Sequence, residues 1–208
     1  MGKARSVATS ALWVAAAIAT IGALVNLRMN YDSKLAPFLV SGRIGEAVVA
    51  RAFVVTVGTV ELAAATSAQD DPEEITLKSL SSAGVWVVVH LRLDARLAPI
   101  SLLTANLQTS DGYAYAAAGP RVQGAGNLAY SRKLLNLKTT QPGLANDGLL
   151  LFEVPRARLA GLHLQVSQAS GGAKLDSLAD IDLGIDAAKA VDLLEHIAPL
   201  LTVRGDEP

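Results

Sequence analysis

The segment that most constrains the fold is residues 85–94, VWVVVHLRLD. Every odd position is a valine or a leucine, whereas the even positions start with Trp86 and Val88 and become polar at His90, Arg92 and Asp94. An apolar residue at every second position is typical of a β-strand with one face in a hydrophobic core. We therefore predict a central strand of an antiparallel sandwich. The outward Trp86 and Val88 need cover from the C-terminal helix or from a partner, and they are the candidate interaction residues.

Alternating segments recur along the chain at the spacing of short strands. Within residues 53–62 the inward phase changes after Gly58, as at a β-bulge, and residues 63–74 are interpreted as a polar loop. Further alternation occupies residues 103–107, 113–115, 149–154, 162–166 and 181–185. We predict an all-β fold, an immunoglobulin-like antiparallel β-sandwich over residues 45–185.

The N-terminal region contains a long uncharged stretch. No residue between Arg5 and Arg28 is charged, and about 20 apolar residues suffice to cross a bilayer as a helix. Residues 7–27 are therefore predicted to form a transmembrane signal anchor, after a cytoplasmic tail at 1–6 and before a juxtamembrane linker at 28–44. A cleaved signal peptide is the alternative, because Ala17-Ile18-Ala19 suits a signal peptidase, although the apolar run continues beyond that point.

The C-terminal region, residues 186–208, changes to a helical period. Asp186 is suited to cap a helix, and apolar residues then recur every three or four positions before Pro199, at Ala187, Ala190, Val191, Leu194, Ile197 and Ala198. This stripe predicts a short amphipathic helix. We expect the helix to cover an end of the sandwich.

Composition excludes several classes of function. The chain has no cysteine, which excludes disulfides, thiolate catalysis and cysteine-bound metals. Its net charge of -1 provides no basic field for nucleic acid, and 4% aromatic residues provide no stacking surface for bases. No nucleic-acid partner is expected.

No converging set of catalytic residues is visible in the sequence. His90, His163 and His196 are the only histidines, and none has a partner at zinc-ligand spacing. No serine lies in a G-x-S-x-G turn. The carboxylates of one loop are candidate calcium ligands, with an ordinary solvated loop as the other interpretation: Asp70, Asp71, Glu73 and Glu74. No cofactor is predicted, and the protein is not expected to be an enzyme.

Four segments resemble a known family. In order and spacing, GVWVVV (84–89), TSDGYAY (109–115), QPG (141–143) and GLLLFEVP (148–155) look like the telokin-like extracellular domain family of bacterial exported proteins, and residues 44–57 resemble its opening strand. The resemblance implies an exported immunoglobulin-like sandwich on a lipid anchor or a membrane helix, without catalytic residues. Two features depart from the pattern: Asp94 stands where an asparagine often follows the central strand, and a membrane helix replaces the lipidated cysteine.

These observations favour a single-pass membrane protein that holds a non-catalytic β-sandwich outside the membrane. We expect it to act as an interaction or accessory module for another protein of the cell envelope. The alternative is a domain that binds an ion, a small solute or a cell-wall polymer through loops at one end of the sandwich, around residues 70–74 and 119–126.

Overall fold

The computed structural model describes residues 13, 16–22, 37–69, 80–118, 134–168 and 177–204. The chain divides into two compact units, Met1–Ala36 and Pro37–Pro208. In the first unit, residues 16–22 are helical. Within the described ranges, no helix is both long enough and apolar enough to span a membrane. Most of the predicted anchor at 7–27 lies outside those ranges.

In its described residues, the second unit is built from β-strands and one short α-helix. The strands are β1 Phe38–Arg43, β2 Ala47–Val49, β3 Phe53–Gln69, β4 Leu80–Ala95, β5 Ile100–Gln108, β6 Ala114–Ala116, β7 Thr139–Thr140, β8 Asn146–Val154, β9 His163–Gln168, β10 Ser177–Asp182 and β11 Leu201–Arg204. The helix α1 is Ala187–Glu195, and single 3-10 turns occupy Leu135–Leu137 and Arg156–Arg158.

The strands form two sheets that face each other across the core. Sheet A has the order β1-β10-β9-β5-β6, with β7 added on β5, and sheet B has the order β11-β3-β4-β8, with β2 added on β3. Most pairs are antiparallel, but β1 runs parallel to β10 and β11 runs parallel to β3. The predicted β-sandwich is confirmed.

The alternation of the central strand β4 is confirmed residue by residue. Val85, Val87, Val89, Leu91 and Leu93 are buried in the main core, where residues of sheet B such as Phe152 meet residues of sheet A such as Leu164 and Ile181. The inward phase of β3 changes at Gly58, where the pairing with β4 shifts register between Val57 and Thr59. A bulge of this kind inserts one residue and moves the following side chains to the other face.

Three parts of the sandwich differ from the predicted boundaries. Residues 38–43 lie inside the predicted linker but form β1, because they pair along β10. Residues 63–69 belong to β3 and not to a loop, since β4 and β11 hold them from either side. The predicted sandwich ends at residue 185, but β11 follows α1 and extends sheet B.

The helix α1 begins as predicted. The Asp186 side chain accepts a hydrogen bond from the Lys189 amide at 2.8 Å and caps the first turn. Ala190 is buried, and Leu193, Leu194 and Ile197 pack against the main core. Val191, which the stripe placed inward, is exposed, so Leu193 takes its place. The expectation that the helix packs on its own domain is confirmed.

A candidate binding groove on the outer face of sheet B

The outer face of sheet B has an apolar half that the chain itself covers. A second hydrophobic cluster forms there from the outward residues of β3, β4 and β8, together with residues from the connections beside them: Ala63, Trp86, Val88, Ala118, Leu134, Leu149 and Leu151. Ala198 and Leu201, from the segment after α1, pack against this cluster. The backbone secures the cover, because the Ala118 amide donates to the Leu151 carbonyl at 2.7 Å and Leu134 bridges to Leu149.

Trp86 and Val88 point outward as predicted but are not exposed. Their relative exposures are 2% and 0%. The predicted need for cover is met by the Ala118 and Leu134 segments and by the residues after α1, not by the helix itself. In the described sandwich these two side chains are therefore parts of a buried layer, and the expected source of cover, the helix or a partner, is replaced by other segments of the chain.

The other half of the same face contains an open groove of about 480 Å³. Three adjacent strands line it with the residues Thr56, Gly58, His90, Leu91, Arg92, Asp147, Gly148 and Leu149. Gly58, at the bulge of β3, leaves room above the sheet, and the backbone of Gly148, which pairs with the inward-facing Leu91, lines the groove on β8. A side chain added at Gly58 would approach only the His90 carbonyl oxygen, at 3.7 Å.

The polar side chains of the groove come together through strand register. Arg92 pairs with Thr56 on one side and with Asp147 on the other. Its Nη1 donates to Asp147 Oδ2 at 3.4 Å, and its Nε lies 3.4 Å from Asp94 Oδ2. These exposed ion pairs contribute little to stability, since water screens them. They hold the Arg92 guanidinium between Asp94 and Asp147, and so fix the positions of these charged groups in and beside the groove.

His90 lies at the border between the covered half and the groove. Its Nε2 is 3.7 Å from Glu61 Oε1, longer than a hydrogen bond, and this nitrogen is screened from solvent without a hydrogen-bond partner among the described residues. Asp147 lines the groove, and the carboxylates of Asp94 and Glu61 lie beside it, near Arg92 and His90 respectively. The groove is therefore complementary to a ligand segment with cationic or hydrogen-bond-donating groups.

A second polar constellation lies on the outer face of sheet A. His163 Nδ1 is 3.3 Å from Asp180 Oδ2, and Gln165 Nε2 donates to Asp180 Oδ1 at 3.1 Å. The Asp180 side chain is only 17% exposed, less than a solvated strand face predicts. Both of its oxygens have partners within the sheet, so this cluster joins β9 to β10. Close carboxylates therefore accompany His163 and also His196, whose Nδ1 lies 3.5 Å from Asp192 Oδ1, but among the described residues neither pair is part of a group that could hold a metal ion.

A third cluster fixes the turn between β5 and β6. The Arg158 guanidinium lies 3.5 Å above the Tyr113 ring and donates to the Tyr115 hydroxyl at 3.2 Å. The pKa of Arg158 lies above its ordinary value, mainly because of a hydrogen bond with Tyr115 and to a smaller extent because of one with Tyr113. Thr109 Oγ1 accepts from the Tyr113 amide and donates to Asp111. This cluster consists of a stacked cation and satisfied hydroxyls, and its role is to hold the turn.

Several predicted site residues lie outside the described residues. They are the calcium candidates Asp70, Asp71, Glu73 and Glu74 and the loop at 119–126. In the ranges that the structure does describe, no group of three or more histidine and acidic side chains could hold a metal ion. Sequence analysis missed Glu61 and Asp147 as neighbours of His90 and Arg92. Their outward position on alternating strands was a signal, but the strand register was needed to use it.

Comparisons with known proteins give a likeness of fold at low identity. No protein-family model matches the chain, and no curated protein matches it. An uncharacterized β-sandwich protein from Clostridium difficile is 14% identical with a TM-score of 0.40, over 69% of this chain and 93% of that one. The yjhA protein from Bacillus subtilis is 13% identical with a TM-score of 0.46, over 68% and 99%.

A third solved structure is the secreted protein MPT63 from Mycobacterium tuberculosis, 14% identical with a TM-score of 0.43, over 69% of this chain and 98% of that one. The telokin-like resemblance stays a prediction.

Proposed function

We propose that the protein is an extracytoplasmic, non-catalytic interaction module, anchored in the membrane by residues 7–27, whose sheet B groove binds a segment of another envelope protein. The observation that carries the proposal is the division of one sheet face. Its apolar half is covered by the chain itself, whereas its polar half is left open as the groove. Open concave surfaces with a few oriented polar groups are where binding sites usually lie.

The strand order supports an immunoglobulin-like type of sandwich. In that type, strands A, B and E share one sheet, and strands C, F and G share the other. Here β3-β4-β8 lie together, and β5-β9-β10 lie together. With β3 as strand A and β4 as strand B, these six strands pass between the sheets in the same sequence order, whereas β1, β2 and β11 lie outside this match. Such sandwiches commonly serve as cell-surface modules.

The charge of the groove supports a partner segment with basic or amide groups. Arg92 is already held by Asp94 and Asp147, so a carboxylate on the partner would compete with two resident carboxylates. A cationic group would instead find Asp147, Asp94 and Glu61 on the same face. Complementary charge of this kind mainly increases association rate and specificity.

The cellular address can be tested by protease treatment of intact cells. We expect the sandwich to be cleaved without breaching the membrane, because the anchor would leave it outside. A sandwich that is digested only after the membrane is opened would contradict the proposal.

The groove can be tested by site-specific crosslinking, because the chain has no cysteine. A Thr56→Cys variant carrying a benzophenone places the probe in the groove, and Thr104→Cys, on β5, carries the same probe as a matched control outside the groove. We expect a specific crosslinked protein from position 56 only, with a lower yield when Asp147→Asn is added. Equal yields from both positions would show that the groove is not the contact surface.

A further inference from the structure

The end of the sandwich at which β1 begins carries an unusual set of exposed side chains. This end, here called the Phe38 end, contains the start of β1, the turn from β2 to β3, the turn from β4 to β5 and the segment before β8. The two sheets are joined here, because the Arg51 amide, in the turn before β3 of sheet B, donates to Ser177 Oγ on β10 of sheet A at 3.1 Å. Phe38 pairs with Ser177 within sheet A. Pro142 bridges to Ala95 at the same end.

Large hydrophobic side chains project from this end into solvent. Leu97 is 84% exposed and Leu144 is 67% exposed, and both lie in turns where no strand pairing requires an apolar residue. Exposed hydrophobic residues also occur at the nearby strand termini Phe38, Leu39 and Val49. Single exposed apolar side chains are ordinary, but a cluster on the tips of adjacent turns marks an interaction surface.

Cationic side chains accompany the apolar ones. Arg51 and Arg96 are exposed in the turns beside Leu97. Arg96 is held in place, since its Nη1 donates to the carbonyls of Ala50 at 3.2 Å and Arg51 at 3.3 Å. Apolar residues flanked by arginines are the combination that enters the headgroup region of an anionic bilayer.

The path of the chain also favours a lipid bilayer as the surface that the Phe38 end contacts. Residues 28–37 separate the predicted membrane helix from β1, and an extended chain of that length reaches at most about 35 Å. The chain enters the sandwich at Phe38, so this end, and not the one where Tyr113 lies, is next in sequence to the predicted helix. We infer that the Phe38 end docks on the surface of the anionic lipid bilayer that anchors the protein; this inference rests on the proposed function.

Docking can be measured on the full chain by single-cysteine fluorescence. NBD labels at Leu97→Cys and Leu144→Cys report on the Phe38 end, and Val191→Cys, exposed on α1, is the matched control. In vesicles of phosphatidylcholine and phosphatidylglycerol we expect labels 97 and 144 to be quenched by nitroxide lipids and protected from aqueous iodide, whereas label 191 stays accessible to iodide. Equal iodide access at all three positions would overturn the inference.

Substitution of single arginines tests whether their charge contributes to docking of the Phe38 end. Arg51→Gln should lower the docking equilibrium constant about fivefold, since one arginine near an anionic surface contributes roughly that factor. Arg43→Gln, at the other end of β1, should leave it unchanged. Equal effects of the two substitutions would contradict docking through the Phe38 end. Docking would also be contradicted if label 97 in detergent became better protected from iodide as the protein concentration rises, because a second copy of the chain would then cover this end.

The same variants separate this inference from the proposed function. A membrane-impermeant maleimide should label Val191→Cys in intact cells if the sandwich lies outside. Labelling at 191 together with iodide-accessible 97 and 144 in vesicles would overturn the docking inference and leave the proposed function standing. Labelling at 191 only after the membrane is opened would contradict the proposed function itself and remove the basis of the docking inference.

Discussion

Trp86 lies on a strand, β4, that contributes side chains to two hydrophobic layers. Its neighbours Val85 and Val87 face the main core, while Trp86 faces the second cluster. We expect Trp86→Ala to lower the free energy of unfolding by about 3–5 kcal/mol, as truncation of a buried aromatic side chain does. Chemical denaturation would measure the change, and Val191→Ala, on an exposed side chain, should stay within about 0.5 kcal/mol of the wild type. A similarly small effect at Trp86 would show that the second cluster is not a packed layer.

Two strand glycines should respond differently to the same substitution. A Cβ at Gly84 would overlap the Val154 carbonyl oxygen, whereas a Cβ at Gly58 would meet only the His90 carbonyl oxygen at an ordinary contact distance. We expect Gly84→Ala to destabilise the protein by about 1–3 kcal/mol because the backbones of β4 and β8 must shift apart. Thermal denaturation of both variants provides the comparison. Equal losses of stability would contradict this explanation.

The groove residues on β4 are predictable from the sequence, but their neighbours on β3 and β8 are not. Alternation alone placed His90 and Arg92 on the outer face of β4, and the structure confirms this. Alternation does not say which residue of a neighbouring strand stands opposite. Asp147 and Glu61 reach Arg92 and His90 only through the registers of β8 and β3, and the bulge at Gly58 shifts one of those registers. The groove is therefore a property of pairing, not of any single segment.

At the scale of elements, the strands with local partners were predictable and the parallel edge strands were not. β3, β4, β8 and β9 each contain the alternation that their position demands. β1 follows Pro37 and has exposed Phe38 and Leu39, so its sequence resembles a linker, and only pairing along β10 makes it a strand. β11 similarly depends on β3. A segment that becomes a strand because a distant strand pairs with it need not show alternation in its own sequence.

The helix α1 offers a prediction at this scale. Its N-terminus is capped by Asp186, and its apolar residues Leu193 and Leu194 cover the main core. Asp186→Ala should cost about 1 kcal/mol because the first turn loses a hydrogen-bond acceptor, whereas Asp186→Asn should retain most of the stability, since asparagine caps equally well. Urea denaturation of the two variants would measure the difference. Equal destabilisation by both would mean that the charge of Asp186, not its capping oxygen, is important.

At the scale of the whole molecule, the two hydrophobic clusters are linked through shared strands. Leu62 and Ala63 on β3, Val85 and Trp86 on β4, and Leu150 and Leu151 on β8 each send one side chain to the main core and the next to the second cluster. Loss of register among these three strands would therefore disrupt both clusters. The outer layer is therefore expected to be an integral part of the folded sandwich.

This coupling predicts a single cooperative unfolding transition for the sandwich. The chain contains only two tryptophans, Trp13 and Trp86, so in a Trp13→Phe variant the fluorescence reports on the second cluster alone. Far-UV circular dichroism reports on the strands of both sheets. The two signals should change at the same urea concentration, because coincident transitions by different probes are the mark of two-state behaviour. A Trp86 signal that changes at lower urea than the dichroism would show that the cover over sheet B separates first, and the groove beside it would then belong to a surface that can open.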